Sequence, residues 1–255
     1  KNKFLNIMGP ELSILIPVRD EEENVKIISD KIEKEIANPN YELLFVNDFS
    51  EDDTVKVIEE IKDQNKKIRY VNNDNKGLGG AISLGITESK GKYLCIMMSD
   101  SSDTVEDLNR YYETIMTNDL DAVFGSRFIK GGKTVDYPLI KLVLNRIGNL
   151  LAKFLMWSDL NDFTNGFKIY KKDTLIGLYP LISESFNIFF ELPLKTISRG
   201  YKYKIIPISY YNRTVGEAKF KIDELGSKYL FTLLYCFLEK ALLKKNIKKN
   251  KWLIF

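Results

Sequence analysis

Apolar runs of strand length alternate with amphipathic segments through the first half of the chain. The amphipathic segments, such as residues 25–36 and 54–62, carry apolar side chains every three to four positions, which is typical of helices that cover a sheet. The mostly apolar segments that we predict to be strands lie at residues 11–18, 41–46, 68–71, 94–98 and 121–125. This alternation predicts an α/β fold with a mostly parallel central sheet, helices on both faces and right-handed crossovers.

Two apolar helical segments dominate the second half of the chain. The first, from Pro138 to about Trp157, is apolar on two sides, so we expect it either to be buried or to lie on a membrane surface. The second covers residues 222–243 and leads into clustered lysines. Around and between them we expect a loop at residues 129–137, strands at 167–170 and 203–211, and a helix at 189–198.

The run at residues 94–98 ends in a cluster of small polar and acidic residues. Ligands of open α/β sheets bind at the carboxyl ends of the strands, so Asp100 is placed to hold a hard cation that bridges phosphate oxygens. The alternative is that Asp100, Ser102 and Asp103 only cap the next helix and solvate a turn. For Asp103 we favour the cap, which Thr104 also can provide, and for Asp100 the ligand role.

Polar residues follow three other predicted strands as well. Arg19 and Glu21 follow the first strand, Asp48 follows the second, and Arg127 follows the run at residues 121–125. Because parallel strands end on the same side of a sheet, we expect these side chains to converge with Asp100. A single polar strand end is usually only a loop, but four that carry both signs of charge predict a binding site.

A glycine-rich turn precedes the predicted helix that reaches Thr87. It reads Lys76-Gly77-Leu78-Gly79-Gly80, so backbone N–H groups at Gly79 and the side chain of Lys76 are placed to contact phosphate. The alternative is a tight helix start without a ligand. The turn is not a dinucleotide-binding fingerprint, because Ile82 stands where the third glycine belongs.

The composition excludes several kinds of chemistry. The 255 residues include no histidine, which excludes Ser-His-Asp and Cys-His nucleophiles, histidine-ligated zinc and imidazole bases. Cys95 and Cys236 lie in apolar segments and form neither a disulfide framework nor a metal cluster, which fits a reducing compartment. A net charge of +3 is too small to indicate a nucleic acid as the partner.

Several strand-end segments occur in a specific order along the chain. They are Ile-Pro-Val-Arg-Asp-Glu-Glu-Glu-Asn at residues 16–24, Phe-Val-Asn-Asp-Phe-Ser at 45–50, Met-Ser-Asp at 98–100 and Gly-Ser-Arg at 125–127. This order resembles the family-2 glycosyltransferases of the GT-A fold. Residues 162–170 and 212–219 look like segments typical of dolichol- and polyprenyl-phosphate sugar synthases. The resemblance implies a catalytic domain at residues 1–225 and an amphipathic, basic helical tail at 226–255.

The resemblance also implies the reaction and its residues. A metal-dependent, inverting glycosyltransferase would move a hexose from a nucleotide sugar, such as GDP-mannose or a UDP-sugar, to a polyprenyl phosphate. Asp100 would ligate Mg²⁺ or Mn²⁺ on the donor's diphosphate, together with Ser102 or Asp103. The nucleoside would be held by Pro17, Arg19, Glu21 and Asp48. Phosphate groups of the donor or the acceptor would be held by Arg127, Arg213 and Lys219.

Two positions depart from the family pattern. Met98 stands where the first Asp of the family's Asp-x-Asp metal motif is expected, so the metal would depend more on Asp100. Phe49 stands where the segment after the second strand usually has glycine, so we expect altered recognition of the donor's nucleobase. The missing carboxylate at position 98 keeps a catalytically silent binding subunit open as a third hypothesis.

The nature of the acceptor decides whether a general base is needed. A lipid monophosphate is largely ionised near neutral pH, because its second pKa is about 6, so it needs positioning more than deprotonation. The second hypothesis is an acceptor hydroxyl on a lipid-linked or surface glycan, for which Glu191 would be the base. The alternative for Glu191 is an ion pair that supports the acceptor loop.

A polyprenyl phosphate lies in a membrane, so the enzyme is expected to bind the membrane's cytoplasmic face peripherally. Residues 229–238 form an apolar run that is followed by lysines and by aromatic residues up to Phe255. This pattern suits an interfacial helix with a basic patch that faces anionic lipid. The alternative is that the run packs on the domain or on a second subunit of a homo-oligomer.

Overall fold

The computed structural model describes residues 9–212 and 225–242. In that part of the chain the strands are β1 (Leu12–Val18), β2 (Tyr41–Asn47), β3 (Ile68–Asn72), β4 (Tyr93–Ile96), β5 (Ala122–Ser126), β6 (Lys133–Val135), β7 (Lys168–Lys171), β8 (Tyr203–Pro207) and β9 (Ser209–Tyr211). The helices are α1 (Glu22–Glu35), α2 (Thr54–Gln64), α3 (Leu78–Glu88), α4 (Val105–Thr117), α5 (Leu139–Met156), α6 (Lys172–Ile176), α7 (Ile188–Ser198) and α8 (Leu225–Leu242).

The main sheet has seven strands in the order β3-β2-β1-β4-β7-β5-β8. Strand β7 runs antiparallel to its neighbours β4 and β5, and the other neighbouring strands of this sheet pair in parallel. Strands β6 and β9 form a separate two-stranded parallel sheet. The predicted mostly parallel α/β sheet is therefore confirmed.

The sheet separates two apolar cores. Alternate side chains of β1 point to opposite faces, so Ile14 and Ile16 join the core under α1, α2 and α4. Leu15 joins the other core, to which α3, α5, α7 and α8 contribute. All seven residues of β1 are buried, as expected for a strand that is covered on both faces.

The ladder between β1 and β4 ends earlier than the sequence predicted, and Pro17 explains why. The Met97 N–H donates to the Leu15 carbonyl at 3.0 Å, and the next bond of this parallel ladder would need an N–H at Pro17. Proline has none, so β4 ends at Ile96 and not at Met98. Strand β1 continues along β2. The two strands therefore separate where the strand order reverses, which is where ligands bind in open α/β sheets.

The strand predicted at residues 203–211 is in fact two strands in two sheets. Pro207 ends β8, and beyond it Ile208 donates to the carbonyl of Ser126 and accepts from the N–H of Lys133. This exchange of partners carries the chain from β5 to β6. The expected loop at residues 129–137 therefore contains β6, whose short, partly exposed sequence has no apolar alternation.

Helices α5 and α8 pack on the second core but leave large apolar side chains in solvent. On α5, Leu139 is 73% exposed and Phe154 is 76% exposed, and Trp157, which follows the helix, is 88% exposed. On α8, Phe231 is 63% exposed and Leu242 is 75% exposed. The first helix was predicted to be either buried or on a membrane surface. One side is buried through Ala152 and Met156 and the opposite side is exposed, and contact with a membrane stays a prediction.

Helix α8 is attached to the domain by polar contacts as well. Asn187 donates to the Thr232 hydroxyl at 3.1 Å, and the buried Arg199 and Glu239 side chains approach to 2.5 Å. The Lys240 ammonium reaches the carbonyl of Met156 at the end of α5. These contacts orient the bare faces of the two helices relative to each other. The division of the chain at residue 225 stays a prediction.

A buried lysine compensates for a proline inside α7. Pro193 lies in the helix and has no N–H, so the carbonyl four residues earlier, that of Phe189, loses its helical partner. Lys168 of β7 donates to this carbonyl at 3.3 Å and to the carbonyl of Phe163 at 3.1 Å. Burial lowers the pKa of Lys168 to about 7. Charged or neutral, its amine keeps two N–H groups for these two bonds.

Replacing Lys168 and Pro193 together should cost less stability than the two single changes predict. Lys168→Met leaves the Phe189 carbonyl unpaired, and Pro193→Ala supplies the helical N–H that pairs it again. We expect a favourable coupling free energy of about 1 kcal/mol in a double-mutant cycle, measured by urea unfolding. Strictly additive changes in the free energy of unfolding would contradict this account of Lys168.

Candidate active site

A cavity of about 870 Å³ opens where β1 and β4 separate. It lies against the carboxyl ends of β1, β2, β4 and β5 and extends to α5, α7 and α8. The site residues from the sequence that line it are Pro17, Arg19, Glu21, Asp48, Asp100, Ser102 and Arg127. The structure thus brings together side chains that lie as much as 110 positions apart, from Pro17 to Arg127.

Asp48 is held in place by the neighbouring loop. Its Oδ1 atom accepts from the Asn73 amide and from the Gly77 N–H, each at 2.8 Å. Asn73 also donates to the carbonyl of Asn75, so the turn before α3 and the end of β2 form one hydrogen-bonded unit. The Asp48 carboxylate is buried and faces the cavity in a defined orientation.

The glycine turn does not act as the phosphate cradle that the sequence left open. The Gly79 N–H donates to the carbonyl of Glu184 at 3.0 Å, and the Gly77 N–H is taken by Asp48. A Cβ at Gly79 would collide with the carbonyl oxygen of Ser183, so glycine is needed for close packing of two backbones. Lys76 does not line the cavity, and its ammonium lies 5.8 Å from the ring centroid of Phe49. Because both N–H groups are used inside the protein, the glycine turn is the tight helix start, whereas the nucleotide-binding role of Lys76 stays a prediction.

The loop between β4 and α4 carries the acidic residues of the site. Thr104 caps α4, since its hydroxyl accepts from the N–H of Asp107 at 3.1 Å. The capping role that we favoured for Asp103 is therefore wrong. Asp103 instead turns back towards β4, where its Oδ2 atom lies 3.4 Å from the N–H of Met98. Burial first, and then the negative charge of Asp100, raise the pKa of Asp103 to about 7.

Three neighbouring strand ends carry non-glycine residues with left-handed backbones. They are Asp20 after β1, Phe49 after β2 and Ser101 after β4, with φ of 48°, 59° and 57°. Each such residue costs free energy and persists because surrounding contacts hold it. Asp20, for example, receives the N–H of Glu51 at 2.8 Å and donates its own N–H to Ser50 at 3.0 Å. The rim of the cavity is thus built from strained, cross-linked loops.

Oxygen atoms that suit a divalent cation are present at the end of β4. Asp100, Ser102 and Asp103 line the cavity, and hard cations such as Mg²⁺ and Mn²⁺ prefer oxygen ligands. In the described part of the chain, no group of three or more acidic, cysteine or histidine side chains could hold a metal by itself. Mg²⁺ commonly binds through one or two carboxylates plus substrate phosphates, so these three residues fit a cation shared with a bound diphosphate.

Arg127 is committed to a buried ion pair. Its Nε and Nη2 atoms donate to the two carboxylate oxygens of Asp162 at 2.8 and 2.7 Å, and its backbone N–H donates to the same carboxylate at 3.0 Å. Aromatic rings surround the guanidinium, those of Phe128, Tyr137 and Tyr210 with centroids 5.2 to 5.5 Å away. Burial opposes its charge, but Asp162 outweighs burial and holds the pKa of Arg127 above its ordinary value. Arg127 therefore presents to the cavity a cation that Asp162 positions.

Asp162, Tyr137 and Tyr210 received no role from the sequence. Asp162 begins the segment at residues 162–170 that resembles the sugar synthases, which marked it as a candidate site residue. The sequence did not show that its partner is Arg127. Tyr137 follows β6 and Tyr210 lies in β9, so only the pairing of these two strands brings the ring centroids to 5.4 Å from each other.

Glu191 lies outside the cavity lining and is completely buried. Its carboxylate accepts from the N–H groups of Ile182 and Ser183 and pairs with Lys195 at 2.6 Å. Lys195 in turn reaches the carbonyl of Pro180. The alternative that the sequence left open, an ion pair that supports a loop, is the arrangement found, so the role of general base is corrected. Arg213 and Lys219 lie outside the described residues.

The lining of the cavity changes character away from the strand ends. There it consists of apolar side chains from α5 (Leu144, Ile147, Leu151), from α7 and the loop before it (Phe186, Phe189, Phe190) and from α8 (Tyr229, Leu230, Leu233). This apolar part lies between the same two helices that carry the bare apolar faces. A single cavity therefore joins a polar, charged end to an apolar end.

Comparison with known proteins identifies related sequences. A family model described as "Glycosyl transferase family 2" matches residues 13–178. A polyprenol monophosphomannose synthase of Mycolicibacterium smegmatis is 27% identical over 230 residues, which covers 84% of this chain and 86% of that protein. An undecaprenyl-phosphate mannosyltransferase of Micrococcus luteus is 29% identical over 211 residues, covering 80% and 85%. For a dolichol-phosphate mannosyltransferase of Pyrococcus furiosus, 26% identity over 215 residues covers 83% of this chain but 59% of that protein.

Solved structures confirm the fold expected from the sequence. Glucosyl-3-phosphoglycerate synthase from Mycobacterium tuberculosis, crystallised with Mn²⁺, uridine diphosphate and glucosyl-3-phosphoglycerate, matches with a TM-score of 0.67 at 15% identity, over 93% of this chain and 82% of that one. The same enzyme was also crystallised with Mg²⁺ and uridine diphosphate. At this identity the likeness establishes the GT-A fold alone.

Neutralising Asp162 should destabilise the protein strongly. Asp162→Asn leaves the buried Arg127 without its counter-charge, and such a loss costs about 3–5 kcal/mol of unfolding free energy. The matched control is Asp53→Asn, which breaks the exposed pair with Lys56, where the side chains are 67% and 65% exposed. We expect the control to cost less than about 1 kcal/mol. Equal losses for both variants in urea unfolding would contradict the proposed dependence of Arg127 on Asp162.

Proposed function

The chain belongs to glycosyl transferase family 2, and on that basis we propose that it transfers a hexose from a nucleotide diphosphate sugar to a polyprenyl phosphate. The observation that carries the proposal is the two-part cavity. Its polar end has the carboxylates and the arginine that a nucleotide sugar needs, and its apolar end lies between α5 and α8. The names of the related mannosyltransferases, whose acceptors are prenyl phosphates, support the same acceptor.

In this proposal, different residues at the polar end of the cavity bind different parts of the nucleotide sugar. Pro17, Arg19, Glu21 and Asp48 lie beside β1 and β2 and would hold the nucleoside. Asp100, with Ser102, would hold Mg²⁺ or Mn²⁺ on the diphosphate. The cation would stabilise the negative charge that develops on the departing nucleoside diphosphate. Arg127, positioned by Asp162, adds a positive charge on the same wall of the cavity.

The attack on the sugar needs no protein base in this proposal. An oxygen of the lipid phosphate forms the new bond to the anomeric carbon, and the bond from that carbon to the diphosphate breaks with its electron pair on the leaving group. The family resemblance implies inversion at that carbon. The acceptor oxygen is ionised near neutral pH, so orientation and exclusion of water are the main tasks of the site.

The state of Glu191 favours a phosphate acceptor over a glycan hydroxyl. A hydroxyl acceptor would need a general base within hydrogen-bond reach. Glu191, the residue considered for that task, is buried in an ion pair with Lys195 and receives two backbone N–H groups from the loop at residues 182–183. Its contacts hold the loop that precedes Phe186 at the cavity wall.

We propose further that the bare faces of α5 and α8 rest on the membrane that contains the acceptor. Both helices border the apolar end of the cavity, so a prenyl chain could pass from the bilayer into it. Of the helices that the structure describes, none combines the length and apolarity needed to cross a bilayer. The mode that we propose is peripheral contact on the cytoplasmic face, because the exposed side chains on both helices are large and apolar.

Transfer of labelled sugar into an extractable lipid tests the reaction directly. Wild-type protein is incubated with a polyprenyl phosphate and labelled GDP-mannose, UDP-glucose or UDP-N-acetylglucosamine, with and without Mn²⁺ or Mg²⁺. We expect metal-dependent label in the organic phase from one donor, and a loss of at least about 100-fold in Asp100→Ala that keeps its fold. Binding of a donor without transfer to lipid would instead favour a glycan acceptor or a silent binding subunit.

Vesicle binding tests the membrane contact. Phe154→Glu on α5 and Phe231→Glu on α8 place charges on the bare faces, so together they should reduce sedimentation with phosphatidylcholine–phosphatidylglycerol vesicles at least fivefold. The matched control is Met116→Glu on α4, which is 42% exposed but lies on the opposite side of the sheet. Unchanged vesicle binding by the double variant would refute the contact, and size-exclusion chromatography would then test these faces as a homo-oligomer interface.

A further inference from the structure

The β4–α4 loop, residues 97–104, brings a second carboxylate next to position 98. Met98 itself offers only a thioether, a soft group that hard cations do not bind. Asp103 turns back so that its Oδ2 atom lies 3.4 Å from the backbone N–H of Met98. Asp100, three positions earlier, lies in the same loop, and its Oδ1 atom accepts from the N–H of Ser102 at 3.1 Å.

Two side-chain oxygen atoms of this loop lie at the cavity wall and have no hydrogen-bond or ion-pair partner among the described residues. Ser102 and Asp103 are each 3% exposed, and both line the cavity. Within residues 9–212 and 225–242, neither the Ser102 hydroxyl nor the Oδ1 atom of Asp103 makes a hydrogen bond or an ion pair. Neither atom is sealed off inside the protein, so both are open to the cavity, and a ligand that enters the cavity can supply the missing partner.

Neither helix capping nor an ion pair with Arg127 accounts for the buried Asp103. It is not the helix cap, because Thr104 performs that task. Nor does Arg127 serve as its ion-pair partner, since both of the guanidinium contacts at 2.7 to 2.8 Å go to Asp162. In the described structure, the negative charge beside Asp100 therefore has no dedicated compensating side chain.

We propose that Asp103 supplies the second carboxylate of a divalent cation site, in place of the one that Met98 lacks, with Asp100 and Ser102 as its companions. The proposal rests on the proposed function, because the remaining ligands of the cation would be diphosphate oxygens of the donor. A divalent cation would bind the two unpaired oxygens, and its charge would offset the negative charges of Asp100 and Asp103. No side chain of this loop does either.

Binding of Mn²⁺ tests this without reference to turnover. Free Mn²⁺ is measured by electron paramagnetic resonance in titrations of the full chain with saturating UDP or GDP. Asp103→Asn should raise the Kd for Mn²⁺ at least about tenfold. Adding Met98→Asp to that variant should restore most of the affinity. Glu106→Gln removes an exposed carboxylate from the first turn of α4 and should leave the Kd within twofold.

The outcomes separate this inference from the proposed function. Mn²⁺ affinity in Asp103→Asn within twofold of wild type would overturn the role of Asp103, while nucleotide binding would still support the proposed function. Failure of wild type to bind UDP or GDP, with or without Mn²⁺, would overturn both. Asp103→Ser is measured in parallel, and thermal unfolding should show both variants at least as stable as wild type, since each removes a buried, unpaired charge.

Discussion

The early end of the ladder between β1 and β4 is the constraint on which the site depends. A parallel ladder needs an N–H at every second residue, and Pro17 withholds the one that would join Met97 to β1. Beyond that point β1 stays with β2, and the chain after Ile96 is released to form an acidic loop. The cavity occupies the resulting gap. The position of the cavity is thus set by the backbone N–H that Pro17 lacks.

Buried charges then make the gap rigid. Arg127 is fixed by Asp162, and Glu191 with Lys195 fixes the loop that leads to α7. Lys168 restores the carbonyl partner that a helix proline removes. Buried ion pairs give little net stability compared with apolar packing, but they impose a single geometry because breaking one leaves a bare charge. Among the described residues, Asp100 and Asp103 of the β4–α4 loop form no ion pair, so a ligand in the cavity is left to offset their charge.

The core formed by α3, α5, α7 and α8 connects the cavity with an exposed apolar surface. Helices α5 and α8 bury one side against α7 and the sheet while their other side stays apolar and bare. The apolar end of the cavity lies between them, so a hydrophobic chain has a continuous apolar route from the outside to the charged strand ends. An acceptor that is a phosphate at one end and a prenyl chain at the other has the same polarity profile.

The sequence by itself determined the layers of the fold and the strand ends that carry polar residues. Short, mostly apolar runs such as residues 43–46, set between amphipathic helical segments, indicate strands covered on both faces, and parallel strands end on one side of their sheet. Only the tertiary structure decided which of the polar groups line the cavity and which are used inside the protein. Asp103, Gly79 and Glu191 have side chains or N–H groups suited to either a structural or a binding role, and the choice depends on partners many positions away. Local patterns record burial along one segment, whereas hydrogen-bond partners are set by how separate segments pack.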